Sequence, residues 1–257
     1  MENGVKPADG TQSISRAATV LSVVASYRGE GVRLTDVAEK TGMHVATVRR
    51  ILVALVNEAF LSFDRKRKLY TIGPTIFAYA VMSDSWYQHR ETFLPAMEEV
   101  AERTGDTVLL SVRVGSEAVC LIRREGSFPI RIMSLDTGHR RPLGVGSGSV
   151  AIFAYLPVEE RHELLATQGA AYAQFGLTAE DIEKAAKETH RNGFAVNEGK
   201  IIEGVYGVAV AALVGGSPVA SISVAAIAPR MQKDRQREIV EIIRDAMAKV
   251  PGVELPA

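Results

Sequence analysis

Between residues 34 and 58 the chain reads LTDVAEKTGMHVATVRRILVALVNE, and three positions within that run restrict the fold. Ala38 is small and falls mid-helix. Gly42 follows four residues later, and Val48 six after that. Two helices that cross closely through a short turn need a small residue at the contact, glycine in the turn and an apolar residue deep in the second helix. The spacing predicts helices over 34–41 and 45–58 joined by a tight turn, the geometry of a DNA-binding helix-turn-helix. Taken alone, the triplet also allows an unrelated pair of antiparallel helices.

The flanks narrow the choice. Ile14, Ala17, Ala18, Leu21, Val24 and Ala25 recur at three- and four-residue spacing, which predicts a preceding helix. Ser13 is its expected N-cap, and Gly29 and Gly31 should end it near Tyr27–Arg28. Val37 and Ala38 should face inward from the second helix. Val48, Ile51, Leu52, Leu55 and Val56 should form the apolar face of the third. Residues 59–63 (AFLSF) and 69–72 (LYTI) read as two short strands around a basic turn, DRKRK. Such a hairpin is marginal alone but can pack on the helices as a wing.

This module has a chemistry. The major groove admits one helix, whose first turn meets the base edges. Here that turn carries His44, Val45, Ala46 and Thr47, with Arg49 and Arg50 following. Arginine can fork onto guanine, and threonine can meet phosphate or the thymine methyl. Thr35 opens the preceding helix, where a hydroxyl and free N–H groups suit phosphate. In the wing, Arg65, Lys66, Arg67 and Lys68 suit phosphate or minor-groove contact. Charge agrees: residues 1–75 carry 11 Lys+Arg against 7 Asp+Glu, whereas 76–257 carry 19 against 23. A basic first module and an acidic second one are hidden under a net charge of zero.

Gly73–Pro74 punctuates the chain. Residues 75–82 are apolar and expected to be helical. Residues 85–103 read as a long amphipathic helix anchored by Trp86, Phe93, Met97 and Val100, with Pro95 placed to kink or restart it. Such a linking helix offers a dimer surface or a face for its own domain. Beyond Asp106 the period turns to that of strands: 107–114 and 117–123 flank a Gly115–Ser116 turn, and 130–135 (IRIMSL) reads as a further strand. Helices are expected over 157–165 and 178–192, the second with Thr178 as N-cap and Gly193 as C-cap. Strands should follow at 194–197, 206–214 and 218–225, and a closing helix at 232–249. Irregular alternation with hairpins predicts an α+β domain around an antiparallel-rich sheet.

Before an apolar helix expected at 150–155 stands PLGVGSGS, residues 142–149. It fits no dinucleotide fingerprint, since Ser149 takes the last glycine's place. It is also neither a P-loop nor a nucleophile elbow. Bare N–H groups and a positive dipole end remain, suited to a small carboxylate. A tight strand-to-helix turn with no ligand is the other reading. The histidines, His44, His89, His139, His162 and His190, form no metal spacing, and no catalytic constellation stands out. No cofactor and no metal are expected. Cys120 is the single cysteine, which excludes an intramolecular disulfide and fits a reducing compartment. Residues 1–11 lack the apolar core of a secretory signal. The longest apolar stretch, 204–228, is broken at Gly215–Pro218. A cytoplasmic protein without membrane contact is expected.

Taken together, these segments resemble the IclR family of bacterial transcription regulators. The resemblance runs through SISRAATVLSVVA, LTDVAEKTGMHVATVRRILVALV and KLYTIG in the first module. In the second it runs through GHRRPLGVGSGSVAIFAYLP, GFAVNEGKIIEGVYGVAV and PVASISVAAIAP. It implies a winged helix-turn-helix domain over 11–73, a linker helix over 74–91 and a GAF-like effector-binding and oligomerisation domain over 92–252. It also implies a homodimer or dimer of dimers on double-stranded, palindromic operator DNA, and a small organic-acid effector. The effector pocket implied by the resemblance involves Gly146, Ser147, Gly148 and Ser149, with Asn197, Gly207, Ser221 and Ser223. The chain departs from the family at three places. Ala225 stands where a second serine follows Ser223, Asn197 where some members are acidic, and Gly207 where some have cysteine. Fewer polar groups imply an effector larger or less polar than a two-carbon acid. Strand alternation puts Ser221 on the face of Ser223. The rival readings are a small-molecule-binding enzyme domain with an accessory helical module, and a helix-turn-helix used only for protein contact.

Overall fold

The computed structural model describes residues 11–27, 29–82, 84–133 and 135–256; the side chains of 81 and 84–90 lie outside that description, and with them Trp86 and His89, as does Arg28. The chain divides into two units between Tyr87 and Gln88.

The first unit contains α1 (Gln12–Ser26), α2 (Leu34–Thr41), α3 (Val45–Asn57), β1 (Leu61–Asp64), β2 (Leu69–Ile72) and α4 (Pro74–Met82). Its core joins Val20 and Val24 of α1, Val37 and Ala38 of α2, and Val48, Leu52 and Leu55 of α3 with Leu61 and Tyr70 of the hairpin. Ala38 and Val48 are both buried, and Gly42 ends α2 at φ +66°. This is the close crossing that the triplet demands. Burying a valine such as Val48 contributes about 1.5–3 kcal/mol. Leu61 pairs with Ile72 and Asp64 with Leu69, so the two strands form an antiparallel wing. Val32 adds a bridge to Tyr70, with both N–H···O bonds at 2.9 Å, which ties the wing to the α1–α2 connection.

Helix α1 departs from expectation. It begins at Gln12, and Thr11 rather than Ser13 takes the N-cap position, without a side-chain cap. Ile14 is 71% exposed, and Ala18 and Ala25 are exposed too. The core accepts α1 only from Ala17 onward, along the stripe Val20, Leu21, Val24 and Tyr27. Ile14 lies one turn too early to reach it.

The second unit is built on a six-stranded sheet in the order β5-β4-β3-β8-β7-β6, every neighbouring pair antiparallel. The strands are β3 (Thr107–Val114), β4 (Glu117–Arg124), β5 (Arg140–Pro142), β6 (Ala195–Glu198), β7 (Val205–Val214) and β8 (Ser217–Ile227). Helix α5 (Asp84–Thr104), continuous through Pro95, and α10 (Lys233–Met247) contribute Phe93, Met97, Val100, Ile239, Ile243 and Met247 to one core. From the sheet, Val108, Leu110, Val208, Val210, Ile222 and Val224 join that core. Alternate residues of the central strands are small or polar instead: Ser111, Ala209, Ala211, Ser221 and Ser223. Over that face lies α6 (Ser147–Ala154), buried from Gly148 onward. Helices α7 (Val158–Thr167), α8 (Gly169–Ala173) and α9 (Ala179–Asn192) complete the unit. Phe153, Tyr172, Ile182 and Ala186 share a second core.

Most elements match their sequence signals. At α9, Thr178 and Asp181 form a reciprocal capping box, and Gly193 ends the helix at φ +75°. Two expectations fail. The described residues of 130–135 form no strand, because the edge of β4 is already taken. Glu117 to Val119 pair with β5, while the Cys120 N–H donates to His139 O and the Cys120 carbonyl accepts from Gly138 N–H. Ile132 instead tucks in singly, its N–H on Thr107 Oγ1 at 3.4 Å, with Ile130 and Met133 exposed; Ser134 lies outside the described residues. Helix α6 starts at Ser147 rather than Val150, since its first turn buries glycine and serine against the sheet's own serines. Helix α8 carries no clear signal in the sequence.

Candidate functional site

The first unit presents a basic face. Arg49 and Arg50 are exposed at the start of α3, and Val45 is 45% exposed there. One helical step of about 100° separates the two arginines, and they diverge. Arg49 is near enough to Tyr70 of β2 to act electrostatically on its hydroxyl, whereas Arg50 lines a groove with Ser13, Arg16, Ala17 and Thr47. Arg16, on α1, is a cation that periodicity does not single out; its place beside Thr47 follows only from how α1 packs on α3. Thr47 is half-buried. His44 is the N-cap of α3, its Nδ1 accepting from the Ala46 N–H at 3.3 Å, so that nitrogen orders the helix start rather than reading a base. Thr35 donates to Asp36 Oδ1 at 2.9 Å.

In the wing, Asp64 Oδ1 accepts from the N–H groups of Lys66 (2.8 Å) and Arg67 (3.0 Å). One carboxylate therefore closes the turn through backbone alone. The side chains of Arg65, Lys66, Arg67 and Lys68 are left exposed at the tip. Lys68 sits at φ +56°, in the left-handed region.

The second unit holds a cavity between the first turn of α6 and the ends of β6, β7 and β8. The cavity itself is small, about 50 Å³, and reaches about 530 Å³ only when the solvent space at its open mouth is counted. Asn197, Gly207 and Ala225 are register partners across β6, β7 and β8 and form its floor. Gly146, Ser147, Gly148, Ser149 and Ser223 line it as well. The glycines serve specific contacts. A Cβ on Gly207 would stand 2.9 Å from Ser147 Oγ, so the bare position lets that hydroxyl lie over the floor. Gly146 holds φ +86° at the N-cap of α6. The first N–H groups of α6 have no carbonyl one turn back to satisfy them.

The expected serines divide by role. Ser147 and Ser223 face the cavity. Ser149 lines it, but its hydroxyl donates to Pro142 O (3.0 Å) and accepts from Gly144 N–H (2.9 Å), closing the glycine-rich loop. Ser221 does not line it: fully buried under α6, it donates to Gly148 O at 2.8 Å. Alternation put Ser221 on the correct face, and the descent of α6 onto that face took its hydroxyl. Several lining residues are not singled out as site residues in the sequence, and Arg141, within the GHRRPLGVGSGSVAIFAYLP segment, is the charged one among them. Arg141 lines the cavity, with Leu109, Val145 and Val205 as apolar neighbours. Burial lowers the pKa of its guanidinium below the usual arginine value, with Cys120 beside it acting the other way. Among the described residues no cluster of His, Cys, Asp or Glu could hold a metal, and no helix is long and apolar enough to cross a membrane.

A winged helix-turn-helix followed by a cavity-bearing α/β domain defines a transcription regulator with a separate effector-binding domain. The chain belongs to the IclR family: the model for the IclR helix-turn-helix domain matches residues 13–65, and that for the bacterial transcriptional regulator IclR C-terminal domain matches 87–251. Similar proteins include the HTH-type transcriptional regulator KipR of Bacillus subtilis, 27% identical over 84% of this chain and 87% of its own. The HTH-type transcriptional repressor AllR of Klebsiella pneumoniae is 24% identical over 94% and 89%. The fold matches an IclR regulator from Alicyclobacillus acidocaldarius (TM-score 0.74, 23% identity, 93% of this chain and 96% of that one). It also matches an IclR homologue from Microbacterium hydrocarbonoxydans complexed with 4-hydroxybenzoate (TM-score 0.75, 20% identity, 93% and 97%). The family is one of regulators, not enzymes.

Proposed function

We propose that this protein is a cytoplasmic regulator that binds a palindromic operator as a homodimer or dimer of dimers, and that a small organic acid in the second-unit cavity modulates that binding. The observation that carries the effector half is the convergence of Ser147, Asn197 and Ser223 on one cavity at the N-terminus of α6. Unsatisfied N–H groups and the helix dipole favour an anion there. Gly207 and Ala225 leave the floor without polar side chains, which suits an acid less polar than a two-carbon one. The Microbacterium homologue's ring-bearing carboxylate is of that kind.

On DNA, Val45, Thr47, Arg49 and Arg50 enter the major groove, Thr35 and Arg16 flank it, and the wing cations Arg65 to Lys68 hold phosphate or the minor groove. Effector binding alters the geometry of the oligomer and so the spacing of recognition helices relative to half-sites. The test is fluorescence anisotropy on the protein's own upstream DNA against a scrambled duplex, across a salt series and with candidate acids added. Sequence preference that an acid shifts supports the reading. An acid that binds tightly yet leaves affinity and footprint unchanged breaks the coupling, and equal binding to both duplexes removes operator recognition there.

A further inference from the structure

The carboxyl end of α6 borders a second cleft, whose lining shares no residue with the cavity at the amino end. It lies between residues 154–158, the end of α9 and the turn at 216–218, and measures about 630 Å³. Clefts that hold small ligands run from about 300 to 1,000 Å³. Leu156, Pro157, Val158 and Pro218 make apolar walls, and the rings of Tyr155 and His190 stand 5.3 Å apart within it. Arg161 of α7 and Lys187 and Arg191 of α9 line it too, and no carboxylate does. That runs against the average of the chain beyond residue 75, which holds 19 Lys+Arg against 23 Asp+Glu. The fold neutralises little of this charge. Lys187 meets Glu183 at 3.5 Å. Arg191 is exposed and makes no ion pair among the described residues. Arg161 commits Nη1 to Ala154 O at 3.2 Å, and its Nε is buried with no partner among the described residues. A cation in the last turn of a helix complements the dipole. That accounts for Arg191 on α9, but Arg161 stands near the start of α7, the end that disfavours a cation.

We propose that this cleft is a second ligand site, for a phosphate monoester with a flat, apolar body. The phosphate lies among Arg161, Lys187 and Arg191, and the body lies on the Tyr155 and His190 rings against Pro157 and Pro218. A guanidinium fork matches phosphate oxygens in pairs, and an ammonium adds a point charge. With Lys187 partly offset by Glu183, two arginines remain for two negative charges, whereas a monocarboxylate brings one. Beside apolar walls these charges are screened less than in open water. The site stands independently of any acid in the cavity at the other end of α6.

The test is calorimetric titration of the full chain with phenyl phosphate and 1-naphthyl phosphate, beside inorganic phosphate, benzoate and phenol. Hydrogen exchange then places the site. The aryl phosphates should bind more tightly than the other three. They should protect amides in 154–161 and 187–191 and leave 141–149 unchanged. Lys187 and Arg191 are both exposed on α9, so Lys187→Gln with Arg191→Gln should fold. That double variant should weaken aryl phosphate binding roughly 10- to 100-fold, the range for a charge-assisted hydrogen bond. Arg161→Lys, keeping the charge but losing the fork, should weaken it less. Inorganic phosphate binding as tightly as its esters would remove the apolar half of the proposal, and benzoate binding there as tightly would remove the phosphate. Affinity unchanged in the double variant, protection at 141–149 instead, or no binding of either ester would overturn the site, and the effector reading of the other cavity would be untouched.

Discussion

Ser221 on β8 donates its hydroxyl to the carbonyl of Gly148 in α6 at 2.8 Å, across 73 residues of chain. The contact is possible because Gly148 has no side chain: a Cβ there would meet the hydroxyls of Ser111, Ser221 and Ser223 at 3.2–3.3 Å. Helix α6 is held at its depth over the sheet by this bond. Ser221→Ala is expected to destabilise the protein by about 1 kcal/mol, the usual net worth of a buried hydrogen bond whose acceptor keeps its helical partner. Urea unfolding with an unchanged slope checks it; full stability in the variant would mean the bond does not set the depth of α6.

Gly207→Ala should fold but bind effector acids at least tenfold more weakly, about 1.4 kcal/mol. The added methyl pushes Ser147 Oγ off the floor from 2.9 Å. Calorimetric titration beside a melting curve separates the two effects, and full affinity in the variant would show the hydroxyl plays no part.

The wing turn is closed by Asp64 through backbone N–H groups, so its cations are dispensable for the hairpin. Replacing Arg65, Lys66 and Arg67 with alanine should leave folding intact. It should flatten the slope of log affinity against log salt by roughly 0.9 for each phosphate no longer neutralised. An unchanged slope would favour the protein-contact reading of this module.

Arg50 and Arg16 share a groove but should act differently. Arg50→Ala is expected to cost about 1–3 kcal/mol on the operator and to relax discrimination. Arg16→Ala, on the flanking helix, should weaken operator and scrambled duplex alike. Anisotropy on both duplexes tells these outcomes apart.

The capping box of α9 predicts a pH dependence. The Thr178 hydroxyl first, then its backbone N–H, hold the Asp181 carboxyl below its usual pKa. A carboxylate lowered on folding contributes stability above its unfolded pKa and loses it as pH falls through the folded one. The contribution should therefore be complete at neutral pH and fade below about pH 4. Asp181→Asn should show a flatter stability profile over that window in denaturant titrations at stepped pH. Thr178→Ala should cost about 1 kcal/mol at neutral pH.

Much of the first unit was legible because its signals are local. Ala38, Gly42 and Val48 describe one helix crossing, and a crossing within 25 residues needs no distant partner. The box Thr178–Asp181 and the stop at Gly193 are equally local. The misreadings share a different cause. Residues 130–135 have strand composition, but β4 has one free edge, and 138–142 occupy it. Ile14 has the correct spacing, but it stays 71% exposed, outside the core that α1 joins from Ala17 onward.

The sequence by itself determined the helix-turn-helix, the basic wing, the antiparallel α+β domain and the bare, glycine-rich character of the candidate site. Those follow from periodicity, from glycine's access to positive φ and from charge, all properties of neighbouring residues. Only the tertiary structure decided which hydroxyls and cations face the cavity. Ser149 and Ser221 gave theirs to the fold, and Ser147 and Ser223 kept theirs for the lining. Of the pair Arg140 and Arg141, strand pairing sent one to Glu117 and the other inside. A strand's parity is fixed by the partner it pairs with, and that partner, 23 residues away in sequence, is chosen by the whole sheet.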